Sequence, residues 1–149
     1  MAQTVNAISA RNLKLEYSLN GTTWNDISGM ANSVKPDDGD REQGEDYTFD
    51  GDVAVITYGK RKPTKLKIKV LYTEGASDAA EVARNSYENS SDLYFRWSPK
   101  GQSTGTFVYT SAAGRVVTSP YPGGEAKSGD PVALEFTFVC PQLTKSLNP

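Results

Sequence analysis

Apolar residues in this chain recur mostly at every second position, the period of half-buried β-strands. Leu13, Leu15 and Tyr17 alternate with Lys14, Glu16 and Ser18, and Asn20-Gly21 follows, a dipeptide that accepts the positive φ of a hairpin turn. Residues 11–27 are therefore predicted to form a hairpin whose return strand is anchored by Trp24. Residues 47–58 carry a strand pattern interrupted at Asp50-Gly51, and residues 59–63 read as a basic turn. Leu66, Ile68, Val70 and Tyr72 then alternate with Lys65, Lys67, Lys69 and Leu71, the clearest strand of all, with one apolar face and one lysine face. A lysine row either guards an edge strand against stray pairing or meets a neighbouring subunit. Leu93, Phe95 and Trp97 are predicted to face inward, residues 106–110 and 115–119 form two further strands, and a long last strand carries Val132, Leu134, Phe136, Phe138 and Cys140. From Pro141 onward the tail is short and polar.

Only residues 77–89 show a helical period, through Ala79, Val82, Ala83 and Tyr87, with Asp78 and Glu81 spaced as a capping box. Residues 28–46 show no period. They contain Gly29, Pro36, Gly39 and Gly44 and are mostly polar or acidic, which reads as a long projecting loop that orders against a partner. Residues 119–131, rich in Pro and Gly, form a second loop. Seven or eight strands with one helix predict a mainly β fold: an antiparallel β-sandwich or barrel with one flanking α-helix and a long projecting loop, in one domain over 1–149.

Composition narrows the chemistry. A chain of 149 residues, 37% hydrophobic and 23% charged, suits one ordinary globular domain. No apolar run approaches the ~18 residues of a membrane span, and the N-terminal segment has no basic start with an apolar stretch, so folding in a cytoplasm is expected. With no histidine, a Ser–His–Asp or Cys–His site and the usual Cys/His zinc site are excluded. The single Cys140 lies in an apolar run and reads as a small buried hydrophobe. Asp37/Asp38 and Asp50/Asp52 are carboxylate pairs, but they lack the spaced ligand set of a calcium loop, and Gly123-Gly124 lacks the Lys and Ser or Thr of a phosphate loop. No enzyme, cofactor or metal is expected.

Charge is unevenly placed although the net is only −2. Asp37, Asp38, Asp40, Glu42, Glu45 and Asp46 crowd the projecting loop, and Asp50 and Asp52 follow. Lys60, Arg61, Lys62, Lys65, Lys67 and Lys69 form a basic run with no acid among them. These blocks are either two solvated faces or complementary surfaces of a self-assembling subunit. On the second reading, the loop around Asp37 to Asp46 approaches the basic run of another subunit.

Tyr47-Thr48-Phe49-Asp50-Gly51-Asp52, Gly59-Lys60-Arg61-Lys62-Pro63 and Val70-Leu71-Tyr72-Thr73-Glu74 occur in an order that resembles the major tail tube proteins of long non-contractile-tailed bacteriophages. Residues 93–101, Leu-Tyr-Phe-Arg-Trp-Ser-Pro-Lys-Gly, and Ser128-Gly129-Asp130-Pro131 are similar to the same family. The resemblance implies a β-sandwich subunit that forms hexameric rings, with inner-sheet strands joined into a continuous barrel and rings stacked into a tube that delivers DNA. It also implies a loop reaching into the adjacent ring, for which residues 35–46 are the matching candidate. Implied partners are further copies of the chain, the tape measure, tail terminator and distal tail proteins, and DNA that passes without specific binding. No membrane is implied, and the implied location is the virion tail, assembled in the host cytoplasm. Because a basic channel would hold DNA, Glu16 and Glu135 on polar strand faces are candidate lumen residues.

Two other readings stand beside this one. A carbohydrate-binding or adhesion module would use Tyr94, Trp97, Tyr109 and Tyr121 as a stacking platform. The inner tube of a contractile injection system would have a similar fold and is separated from a non-contractile tail by its sheath partner.

Overall fold

The alternating segments pair into two facing antiparallel sheets. The computed structural model describes residues 2–101, 103–127 and 129–149. Gln102 and Ser128, which fall in the two glycine-rich connections, lie outside them, and so does that part of the late family-like string. Among the described residues there are eleven strands and one α-helix. The strands are β1 (Lys14–Ser18), β2 (Asn25–Asp26), β3 (Ala31–Asp38), β4 (Arg41–Asp46), β5 (Val55–Arg61), β6 (Thr64–Leu71), β7 (Tyr94–Ser98), β8 (Phe107–Ser111), β9 (Arg115–Val116), β10 (Ala133–Cys140) and β11 (Leu143–Leu147). The helix α1 spans Ala79–Asn89. The first sheet has the order β11-β8-β7-β1-β2 and the second β3-β6-β10-β9, while β4 and β5 pair only with each other.

The core lies between the two sheets. Leu15, Tyr17, Phe95 and Trp97 face Leu66, Ile68, Val70, Leu134, Phe136 and Phe138, all of them buried. The alternating patterns of β6 and β10 are brought into register by direct pairing, Ile68 opposite Phe136 and Leu66 opposite Phe138. Phe95 meets Phe138 edge to face with centroids 4.9 Å apart. Ala79, Val82 and Ala83 of α1 pack on the same cluster. The long apolar strands therefore behave as their sequence predicts, because the buried face alone selects the register.

Several expectations need correction. Residues 28–46 are not a loop: they form β3 and β4. Their strand character is invisible in periodicity because β3 is an edge strand with one covered side, and Pro36 is tolerated there because its missing N–H falls where no ladder bond is needed. β6 is not an edge, since β3 and β10 flank it, so its lysines guard nothing. The polar tail contains β11, paired to β8 from Leu143 opposite Ser111 to Leu147 opposite Phe107.

The helix start also differs from expectation. Asp78 is the N-cap residue but makes no side-chain cap bond; its carboxylate accepts from the N–H of Gly75 at 2.9 Å instead, and Glu81 is tied to Arg84. Tyr87 is partly exposed, and Ser86 takes the buried position, donating to the carbonyl of Ser91 (2.9 Å) and accepting from the N–H of Val116 (3.2 Å). In the first hairpin the anchor is Ile27, fully buried, while Trp24 is half-exposed beneath the Arg96 guanidinium at 4.5 Å.

Candidate functional site

The feature that sets this molecule apart is where the second sheet runs out of partners. β3 and β6 leave the sandwich together and continue as β4 and β5. The crossing point is built by backbone. Asp38 (φ 57°) and Gly39 (φ 83°) turn the chain in the left-handed region, where glycine is at ease. A Cβ on Gly39 would lie 2.8 Å from the Thr64 hydroxyl. On the opposite strand Lys62-Pro63 breaks the ladder, and the Lys62 N–H donates to the Asp40 carbonyl at 2.8 Å to hold the two breaks together. Beyond this point a two-stranded arm projects, with Asp46 opposite Val55 and Arg41 opposite Arg61. Six β4 residues at 3.2–3.4 Å each give it a reach of about 20 Å, before the connection at its tip.

No residue of β4 or β5 is buried. The arm nevertheless carries large apolar side chains: Tyr47 and Phe49 in the connection, Val53 at 81% exposure, and Val55, Ile56 and Tyr58 on β5, the last at 77%. Ile56 and Tyr58 share one face with Glu45 and Gln43, whereas the other face is thinned by Gly44 opposite Thr57 and by Gly59 beside Glu42. A two-stranded ribbon in water is marginal by itself. A contiguous set of exposed apolar residues marks an interaction surface.

The predicted acidic and basic residues converge on this arm, but within one chain. Asp37 and Asp38 lie on β3, Asp40 in the bend, and Glu42, Glu45 and Asp46 on β4; Lys60 and Arg61 lie on β5, Lys62 in the bend, and Lys65, Lys67 and Lys69 on β6. Lys67 pairs with Asp37 at 3.5 Å, Lys65 with Asp38 at 3.4 Å and Lys62 with Glu42 at 3.6 Å. The Asp37 carboxylate lies below its ordinary pKa because it accepts from the Asp38 backbone N–H and, secondarily, from Lys67. These pairs are exposed and screened by solvent, so each adds little to stability. In these three pairs the opposite charges meet within one chain, two of them joining β3 to β6 below the arm and the third bridging Lys62 of the bend to Glu42 at the arm's root. Glu45 and Asp46 sit farther out, opposite Ile56 and Val55.

The two lumen candidates part company. Glu135 is exposed on the outer face of the second sheet, opposite Lys69. Glu16 is only 5% exposed; both its oxygens accept from Arg96, each at 3.1 Å, so it is an internal ion pair of the first sheet and not a wall residue. The sugar-stacking platform does not form. Trp97 is buried and stacked on Tyr109 at 5.8 Å, whereas Tyr121 meets Tyr87 on the helix. Among the described residues no group of His, Cys, Asp and Glu is arranged to hold a metal ion.

The sequence reading missed the apolar arm as a surface. Tyr47, Phe49, Val53, Ile56 and Tyr58 looked like any strand destined for a core. The available signal was the lack of a matching apolar partner in residues 41–46, whose sequence Arg-Glu-Gln-Gly-Glu-Asp has nothing to cover them.

No family model and no curated protein matches the sequence. Solved structures do match, over nearly the whole chain. A chain of the anti-feeding prophage tube-terminating cap aligns with a TM-score of 0.71 at 14% identity, covering 99% of this chain and 95% of that one. A chain of the PVC sheath–tube complex, from an extracellular contractile injection system in its extended state, aligns at 0.68 and 15% identity, covering 96% and 93%. The SPP1 tail tube aligns at 0.66 and 11% identity, covering 95% and 80%. The sandwich with its flanking helix is the fold these tube assemblies share.

Proposed function

We propose that this chain is the repeating subunit of a tail tube. Copies join side by side into rings, taken as hexamers, and the rings stack into a hollow cylinder that delivers DNA. The observation that carries this reading is the arm: a ribbon with no buried residue and six large exposed apolar side chains needs a surface to cover it. The fold shared with tube assemblies supports the same reading, and the family-like strings around residues 47–74 favour the non-contractile bacteriophage class. Further copies, the tape measure, terminator and distal tail proteins are the partners this role entails, in the tail of a virion assembled in the host cytoplasm.

The wall of the channel is assigned to the outer face of the second sheet. Its exposed charges are mixed: Lys35, Lys65, Lys67, Lys69 and Arg115 against Asp37, Glu135 and the Asp38 that pairs with Lys65, and Lys67 and Arg115 are themselves paired, with Asp37 and Asp92. Duplex DNA carries about one charge per 1.7 Å, so a wall of unpaired bases would arrest it, whereas one whose bases are largely paired lets it slide. A second reading, the inner tube of a contractile injection system, is favoured by the matches to such assemblies. It differs by requiring a sheath around the tube.

Negative-stain microscopy of the concentrated protein tests the main reading. Hollow tubes of constant diameter are expected. Monodisperse monomer at every concentration, even with preformed tail tips added as initiators, overturns it. Co-purification of a sheath subunit moves the assignment to the contractile class.

A further inference from the structure

We infer that the arm's tip docks on a second copy at the end of the first sheet where β8 begins and β11 ends, in a patch made by Ile8, Lys100, Phe107, Lys145 and Leu147. This rests on the tube reading above and names the receptor that the reading leaves open.

The tip has a distinct chemistry. Residues 45–58 contain Glu45, Asp46, Asp50 and Asp52 and no base, interleaved with Tyr47, Phe49, Val53 and Ile56. Its receptor must therefore be apolar and basic. Three separate segments supply that combination. Residues 2–13, 97–111 and 141–149 contain no Asp or Glu at all, and they contain Arg11, Lys100 and Lys145. The fold gathers them at one place. The Asn148 N–H donates to the Thr106 carbonyl at 2.9 Å, the Gly105 N–H donates to the Asn148 carbonyl at 3.1 Å, and Leu147 pairs with Phe107. Ile8, Lys100, Thr106, Phe107 and Tyr109 line a cavity of about 200 Å³. Ile8, Phe107 and Leu147 are each half or more exposed, and the Lys145 ammonium sits 4.5 Å over the Phe107 ring. The lysine row of β6 is a poorer receptor, since Lys65 and Lys67 already bind Asp38 and Asp37 of their own chain.

Direction supports the match. The arm's root shares a pocket with Pro141, Gln142 and Leu143, the start of β11. The patch lies at the other end of β11, four residues on. Arm and patch thus sit at opposite ends of the first sheet. A contact between them joins unlike surfaces of two copies, the head-to-tail kind that stacked rings require. Opposite charges around an apolar centre fix orientation and speed encounter more than they add affinity.

Cysteine cross-linking tests this. Gly51→Cys at the tip and Thr104→Cys beside the patch replace exposed residues that supply none of the apolar or charged side chains of the contact, and the native Cys140 is buried. The two variants are mixed, polymerised and oxidised, and disulfide-linked peptides are identified by mass spectrometry. The expected result is tubes with a 51–104 linkage. A mixture of Gly51→Cys with Lys67→Cys is expected to give tubes and no linkage. Tubes in which residue 51 links to 67, or to neither position, overturn the receptor and leave the tube reading standing. Absence of tubes in the wild-type protein under every condition overturns both.

Discussion

The sandwich and the arm are made from the same kinds of residue and treat them in opposite ways. In the sandwich, Phe95, Phe136 and Phe138 are fully buried, and the Phe95 ring packs against both of the others. In the arm, Tyr47, Phe49 and Tyr58 face water, held out by two strands whose only mutual covering is a polar one. The sandwich satisfies itself, and the arm's apolar surface is a debt left for another molecule. Backbone geometry draws the boundary: Asp38-Gly39 and Lys62-Pro63 end the β3–β6 ladder at Thr64, the level at which β10 also stops, with Cys140 opposite Thr64.

If that division is right, the largest effect on folding comes from the body. Phe138→Ala removes a ring at 0% exposure that packs edge to face on Phe95, and a loss of about 3–5 kcal/mol is expected in urea unfolding. Next comes Glu16→Ala. It strands the Arg96 guanidinium, which otherwise donates two bonds to a buried carboxylate, and a charged hydrogen-bonding partner of this kind contributes about 1.5–3 kcal/mol. A loss below about 0.5 kcal/mol, measured the same way, would return Glu16 to the solvent-facing role its position in the alternating pattern suggests.

The arm should invert the relationship. Phe49→Ser with Val53→Ser is expected to leave urea unfolding of the monomer within about 0.5 kcal/mol of wild type, because both side chains are exposed. The same double variant should stop sedimentable polymer from forming. Polymer that forms normally would show that the exposed rings are incidental. A drop in monomer stability as large as that of Phe138→Ala would show that the arm folds back on its own body.

The contrast also explains what could be read from the sequence. β1, β6, β7 and β10 were legible because burial on one face imposes a period of two on Leu15 and Tyr17, on Leu66 to Val70, on Phe95 and Trp97, and on Leu134 to Cys140. β3, β4 and β11 were not. Their strand state is imposed by a neighbour's backbone and not by their own side chains, so Arg41–Asp46 reads as an acidic loop and Leu143–Leu147 as a tail. The acidic and basic runs were visible as blocks, but spacing along a chain does not say whether they meet within one copy or between two. The hairpin geometry of β3 and β6, which places Asp37 opposite Lys65, decides it for the root. The receptor patch was the least legible feature. It is assembled from three distant segments and signalled only by the acids they lack.

The smallest expected effect concerns the hinge between the two regions. The Asp37 carboxyl has a depressed pKa in the folded chain, first through the Asp38 backbone N–H and then through Lys67, with Lys65 adding to the field. A group whose folded pKa lies below its unfolded value of about 3.9 binds its proton more readily when unfolded. Its contribution to stability is therefore complete above that unfolded value and is lost as the pH falls through the lower, folded one. Acid should loosen β3, the edge strand that carries Asp37, before β10, whose ladder to β6 is backed by the buried Leu134, Phe136 and Phe138. Amide exchange measured from pH 5 downward is expected to show β3 losing protection before β10 does, and Asp37→Asn should remove that difference. If β3 and β10 instead lose protection together in the wild-type protein, the root is no weaker than the body, and the arm is a rigid extension of the second sheet.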